Sequence, residues 1–218
     1  MPLFRINRYV VFFIHVPKTG GRSIERYLSR HGPMCLFSHK EPRWGLSSPQ
    51  HMHAQIYNAL VRSAFYDYAF MVTRDPVNRL ISQYKMRRQA RVRRVTRLGI
   101  ELDFPPFDEW VRSTLQKYSD DPYIHDNHIR PQHEFHSSGV EVFKFEEGLE
   151  KVRAKLHKLL EIGPENETPM RHVGMSSDAP ISLTDETLSL IQDFYIEDYK
   201  RFGYPLRARG TVSAAVAC

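Results

Sequence analysis

The chain has 218 residues, 41% of them hydrophobic and 12% aromatic, enough for one globular domain with a real core and too few for a second. That composition excludes intrinsic disorder, and no apolar run approaches membrane-spanning length, so no stable membrane insertion is expected. The formal charge of +6 favours an anionic partner, and two cysteines, Cys35 and Cys218, argue against a structural disulfide and for a reducing, cytoplasmic setting.

In chain order, YVVFFIH (residues 9–15) is a short apolar run rich in Val, Ile and Phe, the pattern of a strand buried on both faces; so little precedes it that no secretory signal is expected. A PKTGG turn follows, then a helix with Ile24, Tyr27 and Leu28 on one face and Ser23 as its expected cap. Residues 32–49 read as a loop with a short strand near 34–38, where Cys35 is expected in the core or a pocket wall; residues 54–65 have helical spacing. YAFMVT (residues 68–73) predicts a second buried strand, and Pro76 behind Asp75 predicts a helix that opens on an Asp cap. Helices are expected over 107–115 and 149–160, a strand over 140–145, and a last helix from Thr184 to about residue 201. The tail from Arg207 is rich in small residues, so residues 1–206 read as one domain and 207–218 as a flexible end. Strands alternating with helices predict an α/β fold: a P-loop-like, three-layer arrangement with a central parallel sheet flanked by helices, and a ligand beyond the carboxyl ends of the strands.

Two of those strand ends carry the chemistry. In HVPKTGGRS the glycines let backbone N–H groups crowd around a phosphate, the helix N-terminus adds partial positive charge, Lys18 adds a full one, and Thr19 and Ser23 offer hydroxyl donors. This is not a Walker A loop, because the lysine precedes the glycines. At the second strand end Arg74 precedes Asp75, suited to read another phosphate, with Ser82 two helical turns on near the same face. One loop for a 5′-phosphate and a separate Arg/Ser pair suit a 3′,5′-bisphosphorylated adenosine.

PKTGGRS followed by RDPVNRLISQY resembles the 5′-phosphosulfate loop and 3′-phosphate motif of sulfotransferases that use 3′-phosphoadenosine 5′-phosphosulfate (PAPS), closest to the family-2 group that includes heparan sulfate 2-O-sulfotransferase and bacterial relatives. The likeness continues through QHMHAQ, DNHIRPQ, VFKFEEGLEKV and FYIEDYKRFGY, over residues 11–205. It implies the sulfotransferase fold, PAPS as co-substrate without a metal, and a saccharide or glycan hydroxyl as acceptor. The donor site then comprises Pro17, Lys18, Thr19, Gly20, Gly21, Arg22 and Ser23 with Arg74 and Ser82. The family's closing C-terminal loop corresponds to MRHVGMSS, whose Arg171 and Ser176 supplement the 3′-phosphate site, although the loop is less basic than the family's pattern.

Sulfuryl transfer needs charge stabilisation at the leaving phosphate, a base for the acceptor hydroxyl, and alignment of the two. Lys18 fills the first role. For the base, a histidine titrating near neutrality is suited, and the resemblance points to His51, with His53, His39 and Glu41 as alternatives; His15, inside a strand, reads as packed. Arg87, Arg88, Arg91, Arg93, Arg94 and Arg97 form either a basic rim for an anionic acceptor or the solvated face of a long helix. The stretch lacks the interleaved aromatics of a nucleic-acid site, so no nucleic acid is expected. HDNHIRPQHEFH gathers four histidines without zinc spacing and reads as an acceptor-site wall, with His53, His128 and Arg130 as acceptor-binding candidates. Trp44 and Trp110 read as core or platform residues. Two other functions compete: a nucleotide- or polyanion-binding protein without chemistry, and an ATP-dependent kinase on the same fold.

Overall fold

The computed structural model describes residues 1–37, 45–99, 103–163, 169–170 and 181–210. His39, Glu41, Trp44, Arg171, Ser176 and Cys218 lie outside the described residues. Five strands form one sheet: β1 (Leu3–Ile6), β2 (Tyr9–Ile14), β3 (Met34–Cys35), β4 (Tyr68–Thr73) and β5 (Glu141–Lys144), in the order β3-β1-β2-β4-β5. β2, β4 and β5 run parallel, with Phe13 opposite Phe70 and Val72 opposite Phe143. The sheet is mixed rather than wholly parallel, because β1 pairs antiparallel with both β2 and β3. β1 is an element the sequence pattern did not announce. Its hairpin to β2 closes through Asn7 and Arg8, with Asn7 at φ 51°, a left-handed position that Asn tolerates well.

The eight helices of the described chain are α1 (Gly21–Leu28), α2 (Ala54–Leu60), α3 (Pro76–Leu98), α4 (Phe107–Asp120), the single turn α5 (Ile124–Asn127), α6 (Leu149–Leu160), α7 (Asp185–Phe194) and α8 (Ile196–Phe202). Alternation along β2 divides the core. Phe12 and Ile14 pack with α3, α4, α7 and α8 on one face, and Val11 and Phe13 with Ile24, Leu28, Val152 and Leu156 of α1 and α6 on the other. Each fully buried Phe, Ile or Val contributes about 1.5–3 kcal/mol of apolar burial, so the sheet is anchored on both sides.

Several local expectations are corrected. Gly20, not Ser23, caps α1, and Ser23 lies within its first turn. The helix expected over 54–65 stops at Leu60, a 3₁₀ turn follows at Ser63–Phe65, and α4 continues to Asp120. The final helix breaks at Tyr195 into α7 and α8, and its Thr184 cap forms, the side chain accepting from the Thr187 N–H. Asp75 caps α3 by accepting from Asn78 at 2.8 Å. Cys35 is exposed rather than buried, because β3 is an edge strand of two residues. Arg207, expected to open a loose tail, is instead tied down: its guanidinium donates to Asp75 at 2.6 Å and its N–H to Gln192. Among the described residues no helix is long and apolar enough to cross a membrane.

Candidate functional site

The carboxyl ends of β2 and β4 lie side by side because those strands are parallel neighbours. The chain leaves β2 through Val16–Gly20, with Lys18 at φ 71° and Gly20 at φ 84°, and turns directly into α1. No side chain caps α1 and no acidic residue sits in its first turn, so its N-terminal dipole is uncompensated. Gly21 is obligatory for packing: a Cβ there would stand 2.1 Å from His15 Nε2. The Thr19 hydroxyl is turned inward and donates to the Val16 carbonyl at 2.9 Å, leaving only its backbone N–H for a ligand.

Among the described residues no acidic side chain pairs with Lys18. Burial first, then the neighbouring Arg74 and Arg22, push its ammonium down to about 8. Arg74, 7% exposed, donates to the Lys18 carbonyl at 3.4 Å and stacks on Phe145 with its guanidinium carbon 4.4 Å from the ring centre. Its backbone is clamped on both sides by Gln132, whose Oε1 accepts from the Arg74 N–H at 2.9 Å and whose Nε2 donates to its carbonyl at 2.8 Å. Gln132 is held in turn by the fully buried Asp198, which accepts from its N–H at 2.8 Å. Ser82 lies two turns along α3 and is nearly buried. The two cationic groups expected to grip one nucleotide are therefore neighbours beyond the adjoining carboxyl ends of β2 and β4.

A second assembly adjoins the loop. His51 ends a 3₁₀ turn (Pro49–His51), and its Nδ1 lies 2.8 Å from Asp126 Oδ2, which also accepts from the Ser48 hydroxyl at 2.7 Å. Asp126 is delivered by three consecutive left-handed residues, His125, Asp126 and Asn127, at φ 57°, 60° and 62°. Such conformations cost roughly 1–2 kcal/mol each for ordinary residues and least for Asp and Asn. The turn is held from both ends: Asn127 Nδ2 donates to the His51 carbonyl at 2.8 Å, and Arg130 Nε donates to Asn127 Oδ1 at 2.9 Å. Left-handed backbone held this firmly clusters at functional sites, which marks this turn as a candidate.

Burial drives His51 down to about 4 against the opposing pull of Asp126, so its imidazole is neutral at pH 7. Burial opposes ionisation of Asp126, yet the His51 and Ser48 bonds hold its carboxyl well below the usual range. The Asp126 carboxylate therefore takes the Nδ1–H, leaving the lone pair on Nε2. The His51 ring meets His15 and His128 edge-on, each with centroids 4.9 Å apart. His128, whose Nδ1 bonds to Gln83 Oε1 at 2.7 Å, is pushed far down by burial and then by His51 and Lys18, which ties the His51 segment to the Val16–Gly20 loop. A second link runs through Glu25 of α1. Its Oε1 lies 2.7 Å from His15 Nδ1, and Gln50 Nε2 donates to both of its oxygens at 2.7 Å.

The acceptor-side candidates divide. Arg87 is half-buried and lowers the pKa of both His125 and His128, whereas Arg88 is exposed on another flank of α3. Arg130 is committed to Asn127, to an ion pair with Glu134 and to the Tyr123 ring. His53 is buried as the residue preceding α2, against Tyr123. Sequence reasoning missed Asp126, Glu25, Gln50, Gln132 and Asp198. The one signal for Asp126 is the Asp-Asn pair, the residue types that adopt left-handed turns. Among the described residues no group of His, Cys, Asp or Glu side chains gathers closely enough to hold a metal ion.

The family-2 model of the sulfotransferase family matches residues 1–205. No curated protein and no solved structure matches the chain significantly.

Proposed function

Since the chain belongs to the sulfotransferase family, we propose that it moves a sulfuryl group from PAPS to a hydroxyl of an anionic saccharide, with His51 as general base and Lys18 at the leaving phosphate. The observation that carries this reading is the convergence of Lys18 and Arg74, with no acidic partner for Lys18 among the described residues, at the uncapped start of α1, beside a neutral histidine whose Nε2 is left as an acceptor. A bound anion would offset the burial and the repulsion from Arg74 and Arg22 that together depress Lys18.

The residues fit the donor. The loop backbone around Lys18–Gly21 and the α1 N-terminus suit its 5′-phosphosulfate, and Arg74 and Ser82 suit its 3′-phosphate. Arg22, exposed beside the same turn, adds to the field that attracts it. When bound, the donor supplies an electrophilic sulfur on a phosphosulfate anhydride. His51 Nε2 takes the acceptor hydroxyl proton as the new S–O bond forms, Asp126 stabilises the resulting imidazolium, and Lys18 offsets charge on the oxygen released from sulfur. Arg87 beside His128, with the exposed Arg91, Arg93, Arg94 and Arg97 further along α3, supports an acidic or sulfated glycan as acceptor. The exposed, free Cys35 suits a reducing compartment such as the cytoplasm.

The test is transfer of labelled sulfate from PAPS to a panel of glycans, lipids and small alcohols by the wild type and by His51→Ala. The reading expects transfer to an acidic glycan that the variant loses while it still binds adenosine 3′,5′-bisphosphate. A variant that transfers as well as the wild type rejects His51 as the base, and stabilisation by ATP with Mg²⁺ alone favours a kinase.

A further inference from the structure

A second cavity flanks α3 away from the His51 centre. Successive helical residues turn by about 100°, so Lys85 faces away from the Gln83 side chain that holds His128. Tyr84, Lys85 and Arg88 form one wall of a pocket of about 510 Å³ that none of Lys18, His51 or Arg74 lines. That volume lies within the roughly 300–1,000 Å³ of small-molecule sites.

The other walls are fixed in place. Phe104 and Phe107 form the apolar floor, and the Tyr84 ring meets Phe107 edge-on at 5.2 Å while its hydroxyl donates to the Pro105 carbonyl at 2.9 Å. Ile181 and Ser182 close the far side; just beyond them Thr184 donates through its N–H and hydroxyl to Asp108 Oδ1 at 3.2 and 3.1 Å. Asp108, the acidic residue at this cavity, is therefore already engaged.

Lys85 is not. It is 8% exposed, lines the cavity, and makes no hydrogen bond or ion pair with any described residue. Its ammonium stands at the cavity wall with no counter-charge among the described residues, placed to meet an anionic group. Arg88, one turn on at the same wall, is exposed and likewise without an ion pair among the described residues. Two free cations beside an aromatic floor match one chemistry. We infer that this cavity is a second ligand site, for a small organic acid whose flat apolar body lies on Phe104 and Phe107 and whose carboxylate or sulfate meets Lys85 and Arg88. This inference does not depend on the sulfuryl-transfer reading.

Calorimetric titration of the full chain with naphthalene-2-sulfonate and with neutral naphthalene-2-sulfonamide tests it, each with and without saturating adenosine 3′,5′-bisphosphate. The sulfonate is expected to bind at one site, at least about tenfold more tightly than the sulfonamide, as a charge-assisted bond implies. Lys85→Met is expected to cost at least about tenfold and Arg88→Ala a smaller factor, with bisphosphate affinity in Lys85→Met unchanged as evidence of folding. Should Lys85→Met not fold, Val92→Trp at the rim narrows the mouth with Lys85 intact and is expected to abolish binding. Absence of sulfonate binding, equal affinity for the two probes, unchanged affinity in the variants, or displacement by the bisphosphate would each overturn the assignment.

Discussion

Asp126 Oδ2 stands 2.8 Å from His51 Nδ1 across 75 positions of sequence, held there by a left-handed turn that Asn127 and Arg130 lock shut. The pair fixes which imidazole nitrogen carries the proton, and with it which nitrogen can accept one. Asp126→Asn should lower kcat by about 10- to 100-fold, the loss of one charge-assisted hydrogen bond of about 1.5–3 kcal/mol. It should also move the acid limb of the pH–rate profile to lower pH, because Asp126 raises the His51 pKa. A merely structural contribution would leave that limb in place.

The acid limb itself should lie unusually low. With His51 at about 4 in the free protein, kcat/KM should hold down to about pH 5 rather than fall near 6.5, provided the fold persists. Folding stability runs the other way. His31, His51, His53, His125, His128 and His136 have pKa values below those of the unfolded chain, so the unfolded chain binds more protons as pH falls from 6.5 toward 4 and stability drops across that window. His133, raised by its bond to Asp198, acts oppositely, its contribution present at low pH and lost as pH rises through its folded value. Six histidines oppose one, so thermal midpoints measured from pH 7 to 4.5 should fall, and His128→Gln should flatten the fall.

Lys18 makes nucleotide binding a proton-linked event. Free Lys18 titrates at about 8 and a bound anion returns it toward its ordinary 10.5, so binding takes up a proton near pH 8–9 and weakens as pH rises further. Calorimetry of adenosine 3′,5′-bisphosphate in buffers of different ionisation enthalpy should reveal that uptake in the wild type and its loss in Lys18→Met.

Gly21 should tolerate no side chain while His15 is present. Gly21→Ala sets a methyl 2.1 Å from His15 Nε2, costing about 1–3 kcal/mol of overpacking and displacing the ring from Glu25. In a chain of this size each kcal/mol lowers Tm by about 2–4 °C. The double variant Gly21→Ala/His15→Ala should recover part of the loss, a non-additivity that calorimetric melting measures.

Much of this architecture was legible in the sequence because buried parallel strands announce themselves. YVVFFI and YAFMVT are continuous apolar runs ending in charged or glycine-rich turns, so the two candidate phosphate motifs could be assigned to strand ends directly. β1 escaped because Leu3–Ile6 has four residues, one of them the exposed Arg5, and joins β2 through a two-residue turn. Asp126, Glu25 and Gln132 escaped for a different reason. Each acts on a residue far away in sequence, His51, Gln50 or Arg74, and no local pattern encodes a hydrogen bond across a sheet edge. The same holds for Lys85, whose isolation is visible only once Asp108 is seen bonded to Thr184.

The central claim is that Lys18 and Arg74 hold opposite phosphates of one nucleotide, and titration of adenosine 3′,5′-bisphosphate without Mg²⁺ tests it most directly. The account predicts binding by the wild type, at least about tenfold weaker binding by Lys18→Ala and by Arg74→Ala, and selective weakening of adenosine 5′-monophosphate by Lys18→Ala but not by Arg74→Ala. Bisphosphate affinity unchanged in both single variants would contradict it.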